Sequence, residues 1–175
     1  MNILNYIEHK DVSMLKAINI SLRCKVLDVI MPLCTCLASK FFLFVFCIFA
    51  EFNTDRYIHL LGIKCIISLT LSTVLSQIIK KSISRLRPFL LINGLNIKKI
   101  GIDKYSFPSG HTTAAFAVAV MISLFYPILS FVLSLACLVG ISRIYLGVHY
   151  PTDVLAGMIL GALTSFLIYY LTNFY

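Results

Sequence analysis

Between Ser109 and Tyr175 the chain carries only two formal charges, Arg143 and Asp153, and this scarcity fixes its solvent before any motif is read. A run of that length has too few polar groups to coat a water-facing surface. Over the whole chain 59% of residues are hydrophobic and 13% charged, where soluble domains average about 45–50% apolar and about 25% charged. Lipid is the natural surroundings for most of this sequence. The expected fold class is all-α, a polytopic membrane helical bundle forming a single domain over residues 1–175.

A membrane-crossing helix needs about 20 mostly apolar residues. Five segments approach that requirement: residues 32–50 with Lys40 inside, 57–79 with Lys64 inside, 109–126, 127–148 and 151–171. Pro127 is expected to mark a tight turn between the third and fourth. Residues 1–28 do not qualify. Their Ile, Leu and Val recur between Lys16, Asn19, Arg23 and Lys25, the pattern of an amphipathic helix lying at the interface. Glu8, His9, Lys10 and Asp11 interrupt the first apolar residues, so no cleavable signal peptide is expected. Gly157 and Gly161, four apart, let a helix approach its neighbour closely, and internal packing is the expected use of that spacing.

The net charge of +8 is concentrated between apolar runs, most densely over residues 80–104. That placement suits anionic headgroups or a phosphate better than nucleic acid, so no nucleic-acid partner is expected. The six cysteines (Cys24, Cys34, Cys36, Cys47, Cys65, Cys137) include no CxxC pair and no His at zinc-ligand spacing, and read as packing thiols.

Counting spans places the ends of three segments on one face of the membrane. The first is Lys80-x6-Arg87-Pro88, the second Pro108-Ser109-Gly110-His111, the third Ser142-Arg143-x5-His149-x3-Asp153. Charges in such apolar surroundings are costly unless they pair or work. A phosphoryl group carries negative charge on its equatorial oxygens, which must be held and neutralised. Lys80, Arg87 and Arg143 supply three cations, two of them guanidinium forks suited to bidentate contacts. Ser109 and Gly110 open a helix, whose N–H groups and dipole favour an anion. A nucleophilic imidazole needs one ring nitrogen free and the other held by an acceptor. Asp153, four residues after His149, can reach it if helix begins at Pro151, and His111 is placed to act as general acid and base. Three cations and a helix N-terminus make a metal or other cofactor unnecessary, and none is expected.

Those three motifs resemble the signature motifs of the phosphatidic acid phosphatase type 2 / haloperoxidase superfamily, matching at every defining position and in the usual order. The resemblance implies a helical-bundle core with His149 as nucleophile, Asp153 as its partner and His111 as acid/base. It also implies phosphate binding by Lys80, Arg87, Ser109, Gly110 and Arg143, and an integral-membrane enzyme acting on a lipid phosphate or diphosphate. A vanadium-dependent haloperoxidase would use the same cradle, but such enzymes are soluble and much larger. Undecaprenyl diphosphate or a similar isoprenoid diphosphate is the favoured substrate, with phosphatidylglycerophosphate, phosphatidate and lipid A as alternatives. A reading from another class is a non-catalytic membrane protein whose basic face binds anionic lipid. Orientation is contested. Lys98, Lys99, Lys104 and the N-terminal cations argue by the positive-inside rule for a cytoplasmic site, while resemblance to bacterial plasma-membrane relatives favours an outward one. Oligomeric state is not written in these patterns.

Overall fold

The computed structural model describes residues 3–98, 103–126 and 129–173. Among them the chain is helical: α1 (Ile3–Lys16) running into a short π-helical turn (Ala17–Ser21), α2 (Lys25–Leu37), α3 (Lys40–Glu51), α4 (Arg56–Ile83), the single turn α5 (Pro88–Leu91), α6 (Gly110–Phe125), α7 (Leu129–Tyr145) and α8 (Pro151–Asn173). Expected Pro127 and Lys99 lie outside the described residues.

The bundle is assembled around α6. Every residue from Thr112 to Met121 is buried, and a helix that is apolar all round belongs in the middle of its neighbours. It packs on α8, α4 and α7. Small residues set the closeness of the α6–α8 contact. A Cβ on Gly157 would lie 2.8 Å from the Ser109 carbonyl oxygen, and one on Gly161 would lie 2.4 Å from that of Thr113. The Gly157–Gly161 spacing is therefore filled from within the chain. Ser165 of α8 donates to the Ala117 carbonyl of α6, and its hydroxyl lies 2.8 Å from that of Ser68 on α4. These two buried hydroxyls thus find partners where lipid offers none. Cys47 and Cys65 pack in this core, whereas Cys24 and Cys36 are exposed.

Among the described residues, only α4 and α8 are each long and apolar enough to cross a membrane alone. The 16 residues of α6 and 17 of α7 span about 24 and 26 Å at about 1.5 Å per residue, short of a hydrocarbon core of about 30 Å. The first expected span, residues 32–50, is revised. Helix starts earlier, at Lys25, and breaks at Ala38–Ser39, with a 47° bend between α2 and α3. Ser39 adopts an extended backbone there and its hydroxyl accepts from the Phe42 N–H at 3.2 Å, capping α3. Pro32, expected to open the span, lies inside α2. Lacking an N–H it cannot bond the Asp28 carbonyl, one turn back. Lys98 supplies the missing donor, 2.6 Å from that oxygen.

The N-terminal segment is amphipathic, as expected, with Glu8, Lys10 and Lys16 exposed and Leu15 buried. Two of its polar residues nevertheless turn inward: Asp11 and Asn19 are buried. Polar groups placed there need partners inside the bundle. Asn19 has them: its amide donates to the Asn96 and Tyr145 carbonyls at 2.9 and 2.7 Å, and accepts from the Asn96 N–H at 2.9 Å.

Candidate active site

One end of the bundle gathers the C-terminus of α4, the N-terminus of α6, and the α7–α8 connection. Local sequence explains each placement. Ser84 takes a left-handed backbone (φ 51°) that stops α4 four residues past Lys80. The chain then runs extended through Arg85–Arg87, pairing Leu86 with Tyr105 in an isolated antiparallel bridge. Pro88 starts a new turn directly after Arg87. Gly147, at φ +70°, turns the chain out of α7, and a Cβ there would lie 3.1 Å from the Asn19 amide. Residues 146–150 therefore fold back beneath Arg87, whose Nη1 donates to the Val148 carbonyl at 3.0 Å. Pro151 then opens α8 in the first-turn position that proline favours.

All eight expected site residues meet at this end. Lys80, Arg87, Ser109, Arg143, His149 and Asp153 are buried, Gly110 and His111 partly so. Arg143 is fully buried, with Nη1 donating to Thr35 of α2 at 2.8 Å. Among the described residues its Nε and Nη2 have no partner. Such donors are costly, about 1–3 kcal/mol each when left unsatisfied, and so point to an anion. Arg87 Nη1 also lies 3.2 Å from His149 Nε2. That places the Nε2 lone pair in the cation cradle and leaves Nδ1 to carry the ring proton.

Two expectations need adjustment. The Ser109 N–H does not face an anion: it donates to the Asp153 carbonyl at 2.9 Å, tying the start of α6 to α8. The first-turn N–H groups of Gly110 to Thr112 precede the first intrahelical bond, Thr113 N–H to Ser109 oxygen, and they supply the dipole end. His149 Nδ1 stands 3.6 Å from Asp153 Oδ2, an ion-pair separation rather than a hydrogen bond. Asp153 is instead held by the Tyr150 N–H at 2.8 Å and by Arg85 at 2.7 Å.

Arg85, Asp11, Asp103 and Thr35 were not among the expected site residues. Arg85 lies within the basic stretch over residues 80–104 and Asp11 reads only as a break in an apolar run. Asp103 links both motif cations, bonding Lys80 Nζ at 2.6 Å and pairing with Arg87 Nη2, while its carbonyl accepts from Arg87 Nε at 2.6 Å. Burial alone would raise the Asp103 pKa, but the bonds from Lys80 and Arg87 outweigh it and hold the carboxyl below its ordinary value. His149 is pushed the other way for a base. Burial first, then the charges of Arg143, Arg87, Lys80 and His111, hold its pKa well below 6.5, so it is neutral at physiological pH. Four cations (Lys80, Arg85, Arg87, Arg143) face three carboxylates (Asp11, Asp103, Asp153), and the site keeps a net positive charge. Among the described residues no three His, Cys, Asp or Glu side chains gather to hold a metal ion.

Known proteins place this arrangement. An undecaprenyl-diphosphatase of Sulfolobus acidocaldarius is 38% identical over 109 residues, covering 61% of this chain and 53% of that protein. Phosphatidylglycerophosphatase B of Bacillus subtilis is 38% identical over 107 residues, covering 54% and 50%. The chain spans about half the length of these curated relatives. The crystal structure of Aquifex aeolicus LpxE superposes with a TM-score of 0.80 at 30% identity, covering 90% of this chain and 93% of that one. The PAP2-type phosphatidylglycerolphosphate phosphatase from Bacillus subtilis gives 0.74 at 28%, covering 97% and 87%. The PAP2 superfamily model matches residues 61–175, from the second turn of α4 through all three motifs. The chain belongs to the PAP2 superfamily.

Proposed function

We propose that this integral membrane protein is a lipid phosphate or diphosphate phosphatase acting through a phosphohistidine on His149, with undecaprenyl diphosphate as its favoured substrate. The observation that carries the reading is the buried Arg143, with two donors that no described residue uses, beside Lys80, Arg87 and a neutral His149. Those groups fit a terminal phosphate. His149 Nε2 attacks phosphorus as the bond to the leaving oxygen breaks, and His111 protonates that oxygen. The imidazole gains positive charge as the P–N bond forms, and the carboxylate of Asp153 lies on the Nδ1 side to offset it. Water, deprotonated by His111, then attacks the phosphohistidine, the P–N bond breaks, and inorganic phosphate leaves. Neutralisation by side chains means that no step calls for a metal.

A lipid substrate is supported by the surroundings of the site. An apolar groove of about 330 Å³ lies between α3, α6 and α7, lined by Phe42, Ala115, Ala119, Ile122, Ala136 and Val139. Ala115 and Val139 are each one helical turn from His111 and Arg143, so the groove begins where the cradle ends. The names of the relatives, a lipid A 1-phosphatase among them, favour isoprenoid diphosphate first, with phosphatidylglycerophosphate and lipid A phosphates as the other candidates.

Phosphate release by detergent-solubilised protein tests this, offering undecaprenyl diphosphate, phosphatidylglycerophosphate, phosphatidate and lipid A with EDTA present. Release by wild type, lost in His149→Ala and fastest with undecaprenyl diphosphate, is the expected result. Equal release by both proteins overturns His149 as nucleophile, and no release from any lipid favours the anionic-lipid-binding reading. The same reading takes the site to face outward from a bacterial plasma membrane. Exposed Cys24 lies at the catalytic end, its carbonyl accepting from the Tyr145 hydroxyl at 3.4 Å. A membrane-impermeant maleimide should therefore label Cys24 in intact cells, and labelling only after lysis would place the site inside.

A further inference from the structure

The N-terminal helix α1 belongs to no motif, yet it sends a buried carboxylate to the catalytic end. Asp11 Oδ2 accepts from Arg85 Nη2 at 2.8 Å, and Arg85 Nη1 donates onward to Asp153 Oδ1 at 2.7 Å and to Thr152 Oγ1 at 2.8 Å. Asp11 Oδ1 accepts from the Thr152 N–H at 3.0 Å, and Thr152 Oγ1 donates to Asp11 Oδ2. The Arg85 guanidinium also lies over the Tyr150 ring, 4.0 Å from its centroid. Arg85 thus sits between two carboxylates, one on α1 and one next to His149.

This has an electrostatic consequence. Asp153 is the carboxylate nearest His149, but Arg85 bonds it directly and cancels most of its charge. Left alone, the Arg85–Asp153 pair would be close to neutral and would give little support to a positive imidazole. Adding Asp11 makes the group Asp11–Arg85–Asp153 net negative, with one excess charge beside His149.

We propose that Asp11 is a positioning residue for the reaction, acting through Arg85 to keep a net negative charge and a fixed Asp153 at the back of the His149 ring. The proposal rests on the phosphatase reading for its kinetic consequence, though not for its geometry. Other charges face the same ring: Arg143 from α7, Lys80 from α4, Arg87 from the segment after α4, His111 from α6, and Asp103 through Lys80 and Arg87. All the cations among them disfavour charge on His149, and Asp11 opposes them through Arg85. A purely mechanical role, fastening α1 to the start of α8, would use the same hydrogen bonds but would not tune the ring.

Asp11→Asn is near-isosteric and removes the charge, but its NH2 also replaces one accepting oxygen and weakens the fastening. The His149 titration, which fastening alone would not move, is therefore the deciding readout. The comparison sets wild type, Asp11→Asn, Asp11→Glu and Glu8→Gln side by side. Glu8→Gln removes an equal charge from an exposed position on the same helix. Asp11→Asn is expected to lower kcat per folded enzyme about tenfold, the equivalent of one unit in the basicity of His149, with KM changed less than about twofold. The acid limb of kcat/KM should move to lower pH, Asp11→Glu should recover part of both effects, and Glu8→Gln should change neither. In parallel, the ring resonances of His149 in 13C-histidine-labelled protein follow its titration without turnover, with its midpoint expected to fall in Asp11→Asn. A wild-type protein inactive on every lipid phosphate would count against the phosphatase reading, and the resonance shift would still judge this one. An unchanged His149 titration, or unchanged kcat and acid limb with only a smaller folded fraction, would overturn the role of Asp11.

Discussion

Arg143→Met removes a side chain that the substrate-free protein holds at a loss. In the folded chain Nη1 bonds Thr35 while Nε and Nη2 have no partner, all at full burial. Two orphaned donors cost about 2–6 kcal/mol together at about 1–3 kcal/mol each. Methionine abolishes that cost and fills a similar volume, but it forfeits the bond to Thr35, about 1.5–3 kcal/mol for a charged donor. The variant should therefore melt in detergent at or above the wild-type temperature when no phosphate is present. Turnover should move the other way. Losing two charge-assisted bonds to phosphoryl oxygens removes about 3–6 kcal/mol at about 1.5–3 kcal/mol each, and each 1.36 kcal/mol is about tenfold in rate. A fall in kcat/KM of about 10²–10⁴ is expected, with Arg143→Lys intermediate because it keeps charge but not the fork. Inorganic phosphate at about 100 Kd should stabilise wild type by about 2.7 kcal/mol and leave Arg143→Met unmoved. A methionine variant that melts well below wild type, and is still stabilised by phosphate, would refute the assignment of those two donors to the substrate anion.

His149 is held neutral by burial and neighbouring cations, its pKa depressed below 6.5. The unfolded chain binds that proton first as pH falls, so this stabilisation is complete above about pH 6.5 and is lost below it, at up to about 1.4 kcal/mol per pH unit. His149→Asn should flatten the fall in melting temperature between pH 7 and 5, and an unchanged slope would contradict it. Gly161→Ala places a methyl 2.4 Å from the Thr113 carbonyl oxygen. It should destabilise by about 1–3 kcal/mol through forced separation of α6 and α8, read as a lowered melting temperature. Asp103→Asn releases Lys80 and Arg87 from a competing carboxylate. Inorganic phosphate should inhibit that variant at a lower concentration than wild type.

Much of the site is readable in one dimension because its chemistry is local. The helix of Lys80, the helix start at Gly110, and the turn holding His149 each carry their residues at fixed short spacing, and span counting sends all three to one face. Apolar run length and charge scarcity likewise determine a helical bundle in lipid, since backbone polar groups there must be satisfied within the segment. Neither the break at Ser39 nor the shortness of α6 and α7 is visible in the apolar pattern. Run length there reports hydrophobicity, not where a hydroxyl caps a new helix.

What the tertiary structure alone decided is which charges neutralise which. Asp11 and Arg85 are 74 positions apart, Thr35 and Arg143 are 108 apart, and Asn19 and Tyr145 are 126 apart. No periodicity joins residues at such separations, and a buried Asp on an amphipathic helix looks like any solvated one until its neighbour is in place. The amphipathic pattern of α1 gave its shape but not which polar residue turns inward: Asp11 is buried while Glu8, Lys10 and Lys16 stay exposed. The sequence by itself determined the solvent, the helical bundle and the three clusters of reactive groups. Packing decided the balance of charge around His149, because electrostatic pairing depends on distance in space and not on spacing along the chain.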